Sequence, residues 1–529
     1  LSPSRHDGPY LSRRAVLLGA GVLVASSCTA EPKTRSSASG PASPSTSAPA
    51  SPARPEIHVA RFGAVGDGRT DDRAAIQAAL DAVPVGGAVV RFPAGVFQVA
   101  GTQGDTILTL RPGTSLRGES RSASTLRVAP GTGSWGAFLE YENPSIDPGS
   151  LAVSDLTFDM NSRANPVVDN PQATNRPRMV IRSAGGAGPS LSIVGCRFHD
   201  CSNVNTLYLA GRRVVVRDCL FTGTGAGAVG GWDHSSIYAV ARSGGSISIT
   251  GNRFVGTLGS GASRTAIETH GGSQIVQQNT IDAYLKGMNL TGVAQERTDT
   301  VVVASNTISN ALIPFHLWAA PYANQPSGTT LSNVLLRANH ALIDPAAWRD
   351  VPGATGVYAC GVLLDPQAGC TMLDITVRGN TFRWTGELPP PFRPLDERAC
   401  GVTFKSAGVL SGLQILGNTF ETPPSAGVLL DGSVVTATVS GNVFLDPGRL
   451  AASLEDATLA SGVVLGGRID GAVVTGNRTT DRRRPHVVAQ GVASRSGLLV
   501  TRSRVSGNQM QCSDGTVPPE MSELMSQLV

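Results

Sequence analysis

The chain has 529 residues, a formal net charge of +4, 62 glycines, 16% charged residues and 5% aromatic ones. So small a charge, carried by scattered arginines, gives no basic footprint and argues against a nucleic-acid partner. Abundant glycine with few aromatics argues against a large aromatic core and for many short strands joined by turns.

In chain order, residues 1–30 are expected to be an export signal. SRRAVLLGAGVLVASSC joins the pair Arg13 and Arg14 to an apolar run, Leu17 to Val24, too short to span a bilayer. The arrangement resembles twin-arginine signals. Ala25-Ser26-Ser27-Cys28 resembles a lipobox with Ala25 where Leu is usual; it implies lipidation of Cys28, with simple cleavage near Ala30 as the alternative. A lipid on Cys28 would be the one link to a membrane. Residues 31–55, rich in Ser, Pro and Ala and without apolar periodicity, read as a disordered, semi-extended linker. The folded domain is expected over 56–512, with 513–529 as a C-terminal tail or cap.

That domain opens on RFGAVGDGRTDD, Arg61 to Asp72, a turn-rich stretch. TDDRAAIQAALDAV then carries helical amphipathicity with Thr70 as expected N-cap, and GGAVVRFPAGVF, Gly86 to Phe97, reads as strand and turn. Asp67, Asp71 and Asp72 read as turn and helix-start residues.

From about residue 190 a short phrase recurs (GCRF, DCLF, GNRF, QNTI, SNTI, GNTF, GNVF), its second position falling at Cys196, Cys219, Asn252, Asn279, Asn306, Asn339, Asn380, Asn418, Asn442, Asn477 and Asn508. Intervals run from 23 residues (196 to 219) to 41 (339 to 380). Alternating strand patterns such as SISIT precede the phrase, and many copies are followed by a second strand such as GVLLD. A unit this small cannot bury its own apolar face, so neighbours must stack. The fold expected is all-β: a parallel β-helix whose coils lie ~4.8 Å apart, with the Asn column satisfying backbone groups at a corner. The amphipathic helix then covers the open end of the first coil.

The run RFGAVGDGRTDDRAAIQAALDA followed by GGAVVRFPAGVF resembles the N-terminal segment of the pectate-lyase-like, rhamnogalacturonase/epimerase-like branch of the pectin-lyase-like superfamily. The resemblance is strong over residues 58–100 and weaker, through the repeated phrases, to position 510. It implies a right-handed parallel β-helix with a short N-terminal capping helix and a carbohydrate-active setting, without fixing one reaction. The polygalacturonase pattern of that superfamily (Asn-Thr-Asp, Asp-Asp, Gly-His-Gly, Arg-Ile-Lys) is missing, as is the acidic calcium cluster with a paired Arg of pectate lyases. No cofactor is called for, and no CxxC marks a metal site.

Eight cysteines suit an exported protein. Cys196 with Cys219, and Cys360 with Cys400, occupy matching positions in consecutive coils, close enough for disulfides or for stacked buried thiols. Aligning the second strand of each coil gives one outward column of Tyr208, Tyr238, Glu268, Asn289, His316, Leu363 and Thr403. The neighbouring column holds Ala210, Val240, His270, Thr291, Trp318, Asp365, Lys405 and Asp431. The expectation is a solvent-facing patch with Tyr238, Glu268, His270, His316 and Asp233 as catalytic candidates, and Asn289, Lys286, Trp318, His234, Asp365 and Lys405 as substrate-binding ones.

Three functions fit this patch. The favoured one is β-elimination from a uronate-containing polysaccharide, with His270 or His316 as base, Tyr238 as acid, and Asn289 with Lys286 neutralising the uronate. The second is glycoside hydrolysis by Glu268 with Asp233. The third is a non-catalytic glycan-binding or adhesive β-helix. The sugar and the oligomeric state stay open.

Overall fold

A computed structural model of the chain describes residues 54–101, 106–132, 135–141, 150–165, 179–183, 189–201, 205–224, 235–258, 264–292, 298–321, 328–348, 358–386, 398–450, 456–495 and 499–512. The export signal, Cys28, nearly all of the linker, Asp233, His234 and the C-terminal tail lie outside them.

The repeated phrase makes a corner. The residue before each Asn sits in the left-handed region, where glycine costs nothing: Gly251, Gly379, Gly417 and Gly441 have φ between 59° and 67°. Gln278, Ser305 and Ala338 take the same conformation in other coils. From Asn252 to Asn508 each Asn Nδ2 donates to the Oδ1 of the next Asn, for example Asn252 to Asn279 at 3.0 Å and Asn339 to Asn380 at 2.9 Å. The same Oδ1 accepts the preceding Asn backbone N–H, and Nδ2 also donates to a carbonyl of the coil before, as Asn380 does to Leu336. Backbone groups that the bend removes from the sheet therefore keep partners although the column is buried.

Around this corner the strands pair in parallel into one sheet of 25 strands, which supplies two walls, and one of 15, which supplies the third. Each coil contributes a strand to each wall, and parallel strands returning to a sheet take the right-handed crossover. The structure is thus a right-handed parallel β-helix, as the repeat and the family resemblance together implied. Side chains alternate in and out, and the inward set forms one continuous apolar core. Phe158, Phe198, Phe221 and Phe254, from the position two after the Asn or its equivalent, stack with centroids 4.6–5.3 Å apart.

The N-terminal motif is a lid. The α-helix spans Arg73–Asp81 and buries Ile76, Ala79 and Leu80. Gln77 donates to the carbonyl of Thr109 and accepts its N–H, so the helix supplies both bonds that a preceding strand would give there. The N-cap is Asp72, not Thr70, because the Asp67 carboxylate engages Thr70 through its N–H and hydroxyl. Asp72 is itself drawn back to the N–H groups of Val65 and Gly66, at 2.6 and 3.0 Å. Gly66 is needed: its φ is +69°, and an added Cβ would lie 2.9 Å from the Phe97 ring, which ties GAVGDG to FPAGVF.

The disulfide expectation is not met: Cys196, Cys219, Cys360 and Cys400 are buried thiols, the stacked alternative. The thiols of Cys196 and Cys219 turn to carbonyls, including Val194 at 3.5 Å and Arg217 at 3.3 Å. Burial pushes the Cys196 and Cys360 thiols well above their ordinary range, so they behave as small apolar groups.

Asn380→Ala removes four hydrogen bonds from the middle of the ladder and strands a buried N–H and a carbonyl. The expected loss is about 3 kcal/mol or more, read as a lowered denaturation midpoint, with no comparable loss for Thr381→Ala on the outer face beside it.

Candidate functional site

The ladder register fixes the wall that carries the candidates. Tyr208, Tyr238, Glu268, Asn289, His316, Leu363 and Thr403 are successive cross-strand partners, as are Val240, His270, Thr291, Trp318 and Asp365. Both columns alternate with core residues such as Ile267, Met288, Phe315 and Leu317, so they face outward.

Outward does not mean exposed. Glu268, His270, Asn289 and His316 retain only 5, 4, 6 and 7% of their surface, which corrects the expected solvent-facing patch. At rung spacing each side chain is shielded by its ladder neighbours. The Tyr208 and Tyr238 rings stack at 5.0 Å, and Tyr238 lies 4.6 Å from the His270 ring. Tyr208, Tyr238 and Trp318 stay half-buried and so remain open to a ligand.

Two polar groups form there. In the first, Glu268 accepts from the Ser235 hydroxyl at 2.6 Å and lies 3.2 Å from His270 Nε2. His270 Nδ1 meets the Thr291 hydroxyl, whose own proton is directed to the Thr269 carbonyl at 3.0 Å. Both imidazole nitrogens therefore face oxygen partners, which fixes the ring between Glu268 and Thr291. Burial works to raise the Glu268 pKa, but the hydrogen bond and charge of His270, the Ser235 hydroxyl and the Lys286 ammonium outweigh it and hold the carboxyl below its usual value.

In the second group, His316 Nε2 lies 3.4 Å from Asp365 Oδ2. Burial first, and Lys286 in addition, lower the His316 pKa against the opposing pull of Asp365 and Glu268, so the ring is neutral at neutral pH. With Nε2–H directed at the carboxylate, Nδ1 carries the lone pair, and that nitrogen is buried without a partner among the described residues. Its ladder neighbour Asn289 likewise has a buried, unpartnered Oδ1. An oriented neutral imidazole with a free lone pair is the arrangement of a general base.

Lys405 does not join them: it lies one rung beyond Asp365, 3.9 Å from Asp431, in an ion-pair network with Arg495 and Asp456. Beyond His316 the first column turns apolar, and Leu363 packs with Trp348 while Leu429 and Val464 pack with Leu459. In this column the run of titratable groups thus ends at His316, while the neighbouring column stays charged through Asp365 and Lys405. In the other direction it continues through Arg182, which holds Glu140 with two bonds of 2.8 and 2.7 Å. These two were missed because their coils precede the first repeated phrase; the signal was the alternation in AFLEY and MVIRS, in register with TLYLA. Ser235 was missed because it lies at the strand start, three residues before the Tyr238 position from which the columns were counted.

Residues 57–312 match the family described as rhamnogalacturonase A/epimerase, pectate lyase-like, in keeping with the parallel β-helix of the chain. A mannuronan C5-epimerase of Azotobacter vinelandii, AlgE4, is 36% identical over 109 residues, 20% of this chain and 20% of that protein. Alginate lyase 7 of the same organism is 34% identical over 112 residues, 20% of this chain and 13% of that protein. The match therefore spans a fifth or less of these relatives' length. The N-terminal fragment of gene product 12 of bacteriophage Phi29 shares the fold, with a TM-score of 0.54 at 13% identity over 85% of this chain and 72% of that one.

The lowered Glu268 pKa has a fixed sign. Its contribution to stability is present above the unfolded value near 4.5 and is lost as pH falls through the lower folded value. Melting of the native chain and of Glu268→Gln should show the largest difference at neutral pH and a shrinking one in acid.

Proposed function

We propose that this chain is an enzyme acting on a uronate-containing polysaccharide, and that its first step is abstraction of the proton on C5, beside the carboxylate, by His316. The observation that carries the reading is the buried, neutral His316 with Nδ1 unpartnered and Nε2 turned to Asp365. Such a base takes a carbon-bound proton only if the charge left behind is neutralised, and the Lys286 ammonium, whose field reaches both His316 and Glu268, is suited to the uronate carboxylate. The amide of Asn289, one rung before His316, would hold the same sugar.

Elimination then breaks the bond from C4 to the glycosidic oxygen and leaves a C4–C5 double bond. The pairing of Tyr238 as acid with His316 as base is disfavoured by distance. Three rungs separate them, about 14 Å at ladder spacing, more than one sugar ring spans. His316 itself can return the proton from Nδ1 to the departing oxygen, which restores the neutral imidazole. Tyr208, Tyr238 and Trp318 then serve as flat faces for neighbouring sugars.

A second outcome of the same step is epimerisation, in which C5 regains a proton on its other face; the 36% identity to a mannuronan C5-epimerase segment favours it. Hydrolysis through Glu268 is less supported, because a general acid needs a raised pKa and Glu268 has a lowered one. A purely adhesive role leaves the unpartnered base unexplained. Export by the twin-arginine segment, with a lipid on Cys28, would bring the enzyme to polysaccharide at the cell surface.

The test is incubation with polymannuronate and polygalacturonate in D2O. Elimination gives ultraviolet-absorbing unsaturated ends, and epimerisation gives deuterium at C5 without them. His316→Ala should lower kcat/KM by roughly 10²–10⁴-fold. The acid limb of kcat/KM should lie below pH 6.5, since the base is active only when neutral and its pKa is lowered from that value. Saturated reducing ends that vanish in Glu268→Gln would replace this reading with hydrolysis.

A further inference from the structure

A polar cavity lies on a different wall, at the N-terminal end of the 15-stranded sheet, with a volume of about 330 Å³. Its floor is the ladder Gln98, Arg127, Asp159 and His199. The size falls at the low end of small-molecule sites.

The floor is fixed. Arg127 Nε pairs with Asp159 Oδ2 at 2.8 Å, and Asp159 Oδ1 accepts the Asn161 N–H at 2.9 Å. Asn161, at φ 49°, is tied back to the Val128 carbonyl. Below it the buried Asn165 bridges Ala129, Asn161 and Thr132.

The rim is uncommitted. Among the described residues the Arg163 guanidinium has no ion-pair or hydrogen-bond partner. His199 uses only Nδ1, toward Thr222 at 3.1 Å, and Asp200 uses only Oδ2, toward the Arg163 N–H at 3.3 Å. The cavity therefore offers a free guanidinium and imidazole Nε2 beside a free carboxylate oxygen. A plain anion would use the cation and meet repulsion from Asp200, whereas a neutral sugar would leave Arg163 unused. A molecule bearing both a carboxylate and hydroxyls satisfies each group.

We propose that this cavity is a second binding site, for a sugar acid of a polyuronate chain, separate from the wall that carries His316. The choice of ligand rests on the reading of the chain as uronate-active; the site itself rests on its own residues.

Calorimetric titration of the whole chain in the His316→Ala background, so that the probe is not consumed, tests it. The probes are a saturated mannuronate hexasaccharide and neutral mannohexaose. Arg163→Ala should weaken one class of mannuronate sites about tenfold or more, Arg163→Lys should weaken it less, and mannohexaose should not fill it. An Arg163→Ala isotherm that superimposes on the parent, or equal filling by mannohexaose, overturns the proposal. If Arg163→Ala alters the melting curve, the comparison with Arg163→Lys decides. Arg163-dependent binding without turnover would remove only the catalytic reading; turnover with binding indifferent to Arg163 would remove only this one.

Discussion

One hydrogen-bonded repeat governs this molecule: the amide of an Asn joined to the amide of the Asn one coil further on. A corner in a parallel solenoid takes N–H and C=O groups out of the sheet, and burying them unpaired would cost several kcal/mol per coil. The ladder from Asn252 to Asn508 removes that cost and keeps each coil in register with the next. Coils differ in length because their loops vary, yet the corner returns each one to the same phase. That is why residues as far apart in sequence as Tyr238 and Asp365 share a wall.

Register also explains why an outward face can be a protected site. Ladder neighbours only one strand spacing apart cover one another, so Glu268 and His270 sit in surroundings drier than their outward direction suggests. Low dielectric strengthens both the Glu268 and His270 pairing and the neutrality of His316. The change from His316 to Leu363 marks where the first column passes from chemistry to packing: beyond it, Leu363 packs with Trp348, and Leu429 and Val464 pack with Leu459.

Much of this was legible in the sequence, and the reason is local. Period-two alternation and the repeated Asn fix which residue of a coil lies over which, so the columns through Tyr208, Tyr238, Glu268, Asn289, His316 and Leu363 agree with the observed pairing. Burial was not legible, because it comes from neighbouring rungs and from packing that strand alternation does not encode. The unbridged thiols, the shift of the cap from Thr70 to Asp72 and the contact of Ser235 with Glu268 depend on side-chain directions, which no spacing carries. Lys405 was drawn into the column by alternation and out of the site by Asp431.

Glu268, Lys286 and His316 lie close enough to feel one another's charge. The most direct measurement is the NMR titration of the His316 imidazole in three chains. Glu268 raises and Lys286 lowers the His316 pKa, so Glu268→Gln should move the midpoint down and Lys286→Met should move it up, from a value already below 6.5. A midpoint at or above 6.5 that neither substitution moves would contradict the shared site.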